Sequence, residues 1–209
     1  MDIQRTPVES PVVTPHLRMT EEEFVAWCDE DTKAEWVDGE VIMPSPANLK
    51  HVDLAGFLNL VFRVFVTSRG LGVVYGPELQ VRFADLRRRR VPDLLFVSTE
   101  RTGILKNTEV EGAPDLIIEI VSPDSLARDW REKYLEYEAT GVREYWVVDP
   151  MSQHFEGYTL GTDGHYTLIE EKNGVVSSIV LPGFFLKPTW LWQEPLPNPL
   201  DILRELSVL

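Results

Sequence analysis

Cysteine is almost absent. Cys28 is the only one in 209 residues, which excludes an internal disulfide and makes a reducing cytoplasm the expected compartment. No apolar run reaches the length of a membrane-spanning helix. The longest, around Leu54 to Val66, is broken by Gly56, Asn59 and Arg63. The N-terminus lacks an apolar signal core, so no membrane association is expected. Basic charge is scarce as well: 20 Lys and Arg against 34 Asp and Glu leave a net charge of −14. That excludes a general nucleic-acid coat while allowing a local basic groove. Lysine is the scarcer cation, with 6 against 14 arginines, and four arginines are consecutive at Arg87 to Arg90. There is no internal repeat or low-complexity segment. Nor is there a recognisable helix or ribbon of base-reading side chains.

The pattern that is present predicts a mixed α/β domain with an antiparallel majority. Residues 1–18, with Pro7, Pro11 and Pro15 and no periodicity, read as a flexible tail. Thr20 is a helix N-cap with Glu23 at the capping-box position, and Phe24 and Trp27 mark the buried face of that helix. Ala34 to Met43 is a hairpin turning at Asp38-Gly39. A long helix follows over about Leu49 to Ser68, with Leu54, Leu58, Val61 and Phe65 inward, and Gly70-Leu-Gly72 stops it. Strands are expected at Val73–Tyr75, Glu78–Phe83, Val91–Val97, Leu116–Val121 and Glu144–Val148. Asp85 to Arg90 reads as a charged turn whose arginines are either solvated or in contact with phosphates. Ser125 opens a helix over about Leu126 to Thr140, and strand–helix–strand from Leu116 to Val148 implies a parallel crossover. Hairpins fill Phe155 to Val180. Residues 193–209 form a Pro-rich linker and a short helix, leaving 19–192 as a single domain.

One residue is out of place. Leu116 to Val121 is a strand of the doubly buried kind, and Glu119 interrupts it. An ionised carboxylate there costs several kcal/mol unless a cation, a metal, a proton or an open cleft compensates it. Two strands begin alike, Val91-Pro-Asp93 and Ala113-Pro-Asp115. Strand alternation puts Asp93, Leu95 and Val97 on one face, and Asp115, Ile117, Glu119 and Val121 on one face. If the strands are neighbours, Asp93 and Glu119 converge near one end of the sheet. Such a pair repels unless a cation lies between, and Mg²⁺ prefers carboxylate oxygens. Asp115 reads more simply as a strand-initiating acid. The following helix offers Arg128, Arg131 and Lys133 as cations. Trp130, Tyr134 and Tyr137 form its inward stripe, and Lys133 lies beside that stripe, where its ammonium either enters the carboxylate cluster or stays solvated and pairs with Asp129 or Glu136. His51 either caps or lines the site, or is a satisfied structural histidine.

This constellation resembles the PD-(D/E)XK nuclease superfamily, and more closely its bacterial Uma-type family of "putative restriction endonucleases". The resemblance is carried by Glu35-Trp-Val-Asp-Gly-Glu40, Pro46, His51, Pro92-Asp93 and Pro114-Asp115. It continues through Glu119-Ile-Val-Ser-Pro123, Asp129, Lys133, Tyr137 and Gly141-Val-Arg-Glu-Tyr-Trp-Val-Val-Asp-Pro150. It covers about Met19 to Trp190. It implies a restriction-endonuclease-like mixed β-sheet core flanked by α-helices, with added C-terminal antiparallel hairpins. It implies Mg²⁺-dependent hydrolysis of DNA phosphodiesters, with Mn²⁺ as a substitute. Asp93 and Glu119 become metal ligands, and Glu35 becomes a further acid. The superfamily lysine, two residues after the second acid, is Val121 here, and Lys133 is the candidate to replace it from the helix.

Three functions fit the sequence. The first is a cytoplasmic DNA endonuclease acting as a homodimer, with exposed-looking Trp190 and Trp192 at the interface. The second is a catalytically weak or inactive binding module on the same fold, favoured by the acidic charge and by Val121. The third is a hydrolase of RNA or of a smaller phosphodiester.

Overall fold

The structure, a computed structural model, describes residues 17–29, 32–44, 48–122 and 128–209, without the side chains of Arg128 and Asp129. The expected tail up to residue 16, Pro46, Pro123, the helix start at Ser125 and the Arg128 and Asp129 side chains lie outside the described residues.

Thr20 caps α1 (Glu21–Trp27) with the expected capping box, Thr20 and Glu23 each bonding the other's backbone N–H. Phe24 is fully buried, but Trp27 is 41% exposed with its ring tilted against Phe24, so the inward face of this short helix is Phe24 alone. β1 (Glu35–Val37) and β2 (Glu40–Ile42) form the hairpin. Its Asp38-Gly39 turn has positive φ at both residues, as a two-residue turn of this hand requires. α2 (Leu49–Ser68) has the predicted bounds and buries Leu54, Leu58, Val61 and Phe65. β3 (Gly72–Tyr75) and β4 (Gln80–Phe83) follow. The charged turn is corrected here: after a 3₁₀ turn at Ala84–Leu86, residues Arg88–Arg90 form strand β5, paired with β1 and β4. The run contains no apolar residue, so no hydrophobic period could reveal it.

β6 (Leu94–Ser98), a 3₁₀ stretch (Thr99–Ile104), β7 (Glu109–Glu111) and β8 (Leu116–Ile120) come next. A π-helical turn (Arg128–Lys133) runs into α3 (Tyr134–Thr140), which ends at Gly141 in the left-handed conformation. β9 (Glu144–Asp149) and β10 (His154–Leu160) continue the main sheet. β11 (Tyr166–Leu168), β12 (Val176–Ser177), β13 (Phe185–Leu186) and α4 (Pro199–Glu205) complete the chain.

Two larger sheets result. The central one has the order β11-β10-β9-β8-β6-β3 and is antiparallel except for the β8–β9 crossover; the other has the order β2-β1-β5-β4-β7. β12 and β13 form a separate C-terminal hairpin sheet. Alternation along β8 decides what each layer sees. Leu116, Ile118 and Ile120 join a core beneath α2, α4 and the C-terminal segment, while Ile117 and Val121 join a second core with Tyr137, Val81, Phe83 and Val110. Trp190 belongs to the first core at 6% exposure, and Trp192 packs against it. Trp190 is buried within the chain and Trp192 is half-buried against the same core, so the pair is not an exposed interface. This is the mixed α/β architecture with helices on the sheet and added hairpins that the sequence predicts.

Candidate functional site

Glu119 faces the second core, in the layer between the central sheet, the β1–β5 sheet and the helix that ends in α3. Leu94 pairs with Ile118 and Leu95 with Ile117. Continuing that antiparallel register by one residue places Asp93, the residue just before β6, level with Glu119. Asp93 is held there by two bonds. Its Oδ2 accepts from the Ile120 N–H at 2.7 Å, and its Oδ1 lies 3.0 Å from His51 Nε2. His51 arrives from the first turn of α2, whose N-terminus is capped by Asn48.

Glu119 is buried at 3% exposure. Its Oε1 takes the Lys133 ammonium at 2.8 Å and the Tyr137 hydroxyl at 2.7 Å. Both donors come from the same helix, at the end of its π-helical turn and one turn later. π-turns are uncommon and concentrate at functional positions. Lys133 is itself 4% exposed and reaches a second carboxylate, Glu35 Oε1, at 3.3 Å. Arg131, the other described cation on this helix, is exposed and does not compensate Glu119. Asp115 lies at the far end of β8 and is satisfied by the Ser98 N–H, Arg101 and Arg143, which is the structural role of a strand-initiating acid.

Glu35 is tied on both oxygens. Oε2 meets Arg90 at 2.7 Å, while Oε1 meets Lys133 and the Val91 N–H at 3.3 Å each. Burial works to push this carboxyl up. The charges of Lys133 and Arg90, with the bonds from Arg90 and Val91, outweigh it and hold it at about 2. Arg90 has no exposed surface. It grips Glu136 of α3 with Nε at 2.8 Å and NH2 at 2.7 Å while NH1 holds Glu35. Burial opposes its charge, but Glu35 and Glu136 hold the guanidinium raised. The Tyr137 hydroxyl is pushed well up by burial and by the charges of Glu119 and Glu35, so it is a fixed donor. Arg90 thus pins β1, β5 and α3 to one another, and Lys133 is delivered to Glu119 through that junction. Arg90, Glu136 and the Tyr137 hydroxyl are the site components that the sequence reading missed. The available signal was the excess of arginine over lysine, with its run ending just before Val91-Pro-Asp93.

Oxygen donors on Asp93 and Glu119 suit a hard divalent cation. Among the described residues no group of three or more His, Cys, Asp or Glu side chains is arranged to hold an ion. Mg²⁺ is commonly held by one or two carboxylates with water and substrate phosphate completing its shell, so the pair fits that use. Val121, at 2% exposure, packs in the second core on the Glu119 face. A charge at that position would lie in apolar packing, whereas Lys133 brings one in from the helix. No described helix is long and apolar enough to cross a membrane.

Comparison with solved structures finds a protein described as "a putative nuclease belonging to DUF820 from Anabaena variabilis ATCC 29413". It matches with a TM-score of 0.69 and 21% identity over 83% of this chain and 97% of the other. At that identity the likeness is one of fold. No curated protein matches. The family model described as "Uma2: Putative restriction endonuclease" matches residues 21–189, most of the chain and every residue of the site described above. The chain therefore belongs to the Uma2 family of "putative restriction endonucleases".

Proposed function

We propose that this protein is a metal-dependent DNA endonuclease, cytoplasmic and homodimeric, with Asp93, Glu119, Lys133 and Glu35 as its functional residues. The observation that carries the reading is the placement of a lysine ammonium 2.8 Å from a buried strand glutamate, with Asp93, just before β6, bonded to the N–H of the next residue, Ile120. Family membership and the fold shared with the Anabaena protein described as "a putative nuclease" support it. Asp93 and Glu119 are the residues that would hold Mg²⁺, or Mn²⁺ in its place. When bound, the ion supplies a Lewis acid for a phosphoryl oxygen and an acidified water.

The protein's own residues do the rest. Lys133 is a preorganised donor beside the reacting phosphate. It orients the attacking water and stabilises charge developing on the phosphoryl oxygens in a site largely closed to solvent. Tyr137 fixes Glu119. Glu35, held ionised by Arg90, fixes the ammonium from its other side. His51 and the Ile120 N–H fix Asp93. A homodimer supplies two such sites for the two strands of a duplex.

A plasmid-nicking assay with Mg²⁺ or Mn²⁺ tests this. Wild type should nick and linearise plasmid, and Asp93→Ala, Glu119→Ala and Lys133→Ala should each abolish it. Indistinguishable behaviour of all four proteins would refute the nuclease reading. The net charge of −14 favours one alternative, a binding module without catalysis. It predicts that wild type leaves plasmid uncut with either metal, just as Asp93→Ala, Glu119→Ala and Lys133→Ala do.

A further inference from the structure

α2 carries an apolar stripe on the side opposite its core contacts. Leu54, Leu58, Val61 and Phe65 point into the protein. On the far side, Leu49, Val52, Gly56 and Leu60 succeed one another at spacings of three and four, which stacks them along one face, and Val64, half-buried with one side against the core, continues the row at its edge. Leu49 is 84% exposed, Val52 54% and Leu60 47%. A Cβ added to Gly56 would meet nothing within 4 Å, so the helix surface has an open notch there. The outward face of a surface helix is ordinarily polar, and an aligned apolar row on it marks a contact.

The charges on the same stripe say which contact. Asp53 lies three residues before Gly56, and Arg63 lies three residues after Leu60. Consider two copies of α2 laid antiparallel with a two-fold axis level with Leu58. Gly56 then faces the partner's Leu60, Val52 faces the partner's Val64, and Asp53 faces the partner's Arg63. Each pairing occurs twice, as an isologous contact demands. The leucine finds the notch and opposite charges meet. In a parallel arrangement the same stripe would set like charges level with each other. Arg63 already bonds the Val74 carbonyl at 3.0 Å through one nitrogen, which anchors the guanidinium beside the helix with further N–H groups for a carboxylate.

We infer that α2 is a self-docking seam and that its occupant is the antiparallel α2 of a second copy of this chain. This deepens the homodimer reading above by naming the contact surface, and it is independent of the chemistry at Glu119. It also has a geometric consequence. His51, in contact with Asp93, is seven residues from the axis level, so the two His51 residues lie about 20 Å apart along the paired helices at 1.5 Å per residue.

Sedimentation velocity on the full chain over a concentration series, beside variants, tests the seam. Wild type should dimerise, and Leu60→Glu should raise the dissociation constant by about tenfold or more. Asp53→Arg alone and Arg63→Asp alone should each weaken the dimer, and Asp53→Arg with Arg63→Asp should restore it. Unchanged thermal unfolding of Leu60→Glu and Asp53→Arg separates lost docking from lost fold. A dimer that Leu60→Glu and Asp53→Arg leave intact overturns the seam while sparing the homodimer. A wild type that stays monomeric throughout overturns both.

Discussion

Replacing Glu35 by glutamine removes the negative charge that Arg90 and Lys133 share, with almost no change of volume. Its carboxyl sits at about 2 in the fold against 4.5 for an unperturbed glutamate. At about 1.4 kcal/mol per pH unit, that gap corresponds to about 3 kcal/mol of stability. The carboxyl is held down in the folded state. Its contribution is therefore complete above 4.5, shrinks as pH falls through the window, and is gone below about 2. Urea unfolding of wild type and Glu35→Gln provides the assay. At about pH 7 the variant should be about 3 kcal/mol less stable. At about pH 3 the gap should narrow to about 1 kcal/mol, because the wild-type carboxyl is then losing its advantage. Other acids with lowered values, such as Glu21 and Asp149, titrate in both proteins and cancel in the difference. A gap that stays constant from neutral to acid pH would refute the reasoning. It would mean that Glu35 stabilises by shape or hydrogen bonding and not by its charge.

Lys133→Met should lower nicking by about 10²- to 10³-fold, the usual effect of removing one preorganised donor. Its stability cost should fall below the about 3–5 kcal/mol of a fully orphaned buried charge, because Glu119 keeps Tyr137 and Glu35 keeps Arg90. Asp115→Ala should cost about 1–3 kcal/mol in urea unfolding, since it leaves the Ser98 N–H without its acceptor while Arg101 and Arg143 keep access to solvent. Nicking per folded molecule should be unchanged in that variant, and a loss comparable to that of Glu119→Ala would move Asp115 into the site.

The parts of the fold that follow local rules were legible in the chain. The α2 bounds, the Asp38-Gly39 hairpin and the Thr20–Glu23 capping box each depend on a few neighbouring residues and a fixed period. The β8–β9 crossover was legible because strand, helix and strand followed one another with little between. β5 was not, since a strand made of arginines carries no hydrophobic period, and its burial depends on Glu21, Glu35, Glu109 and Glu136 arriving from elsewhere in the chain. Trp27 and Trp190 fail in opposite directions for a related reason. α1 is too short to bury more than one position, whereas Trp190 packs on Phe185 of β13 within the core that also takes in α4, elements that hydropathy alone does not bring together. Glu119 was legible as an anomaly, and Lys133 as a neighbour of its helix's inward stripe. The Arg90 clamp was invisible, because sequence distance conceals which carboxylate meets which cation.

That clamp changes what Glu119 implies. A buried carboxylate in an apolar strand raises the question of what neutralises it, and a divalent metal is one answer. Here Lys133 and Tyr137 already meet it, and Arg90 serves Glu35 and Glu136 in the same layer. Glu119 is therefore tolerated by the fold whether or not an ion binds. The case for metal chemistry shifts to Asp93, whose side chain keeps 15% exposure against 4% for Glu119. It lies level with Glu119, with the His51 imidazole 3.0 Å from its Oδ1. Asp93 and Glu119 are the residues that would hold an ion there, and Lys133 is the cation already on Glu119. Lys133→Met should accordingly bind Mn²⁺ more tightly than wild type while cleaving less. Titration calorimetry showing equal or weaker Mn²⁺ binding in the variant would place the ion somewhere other than this carboxylate pair.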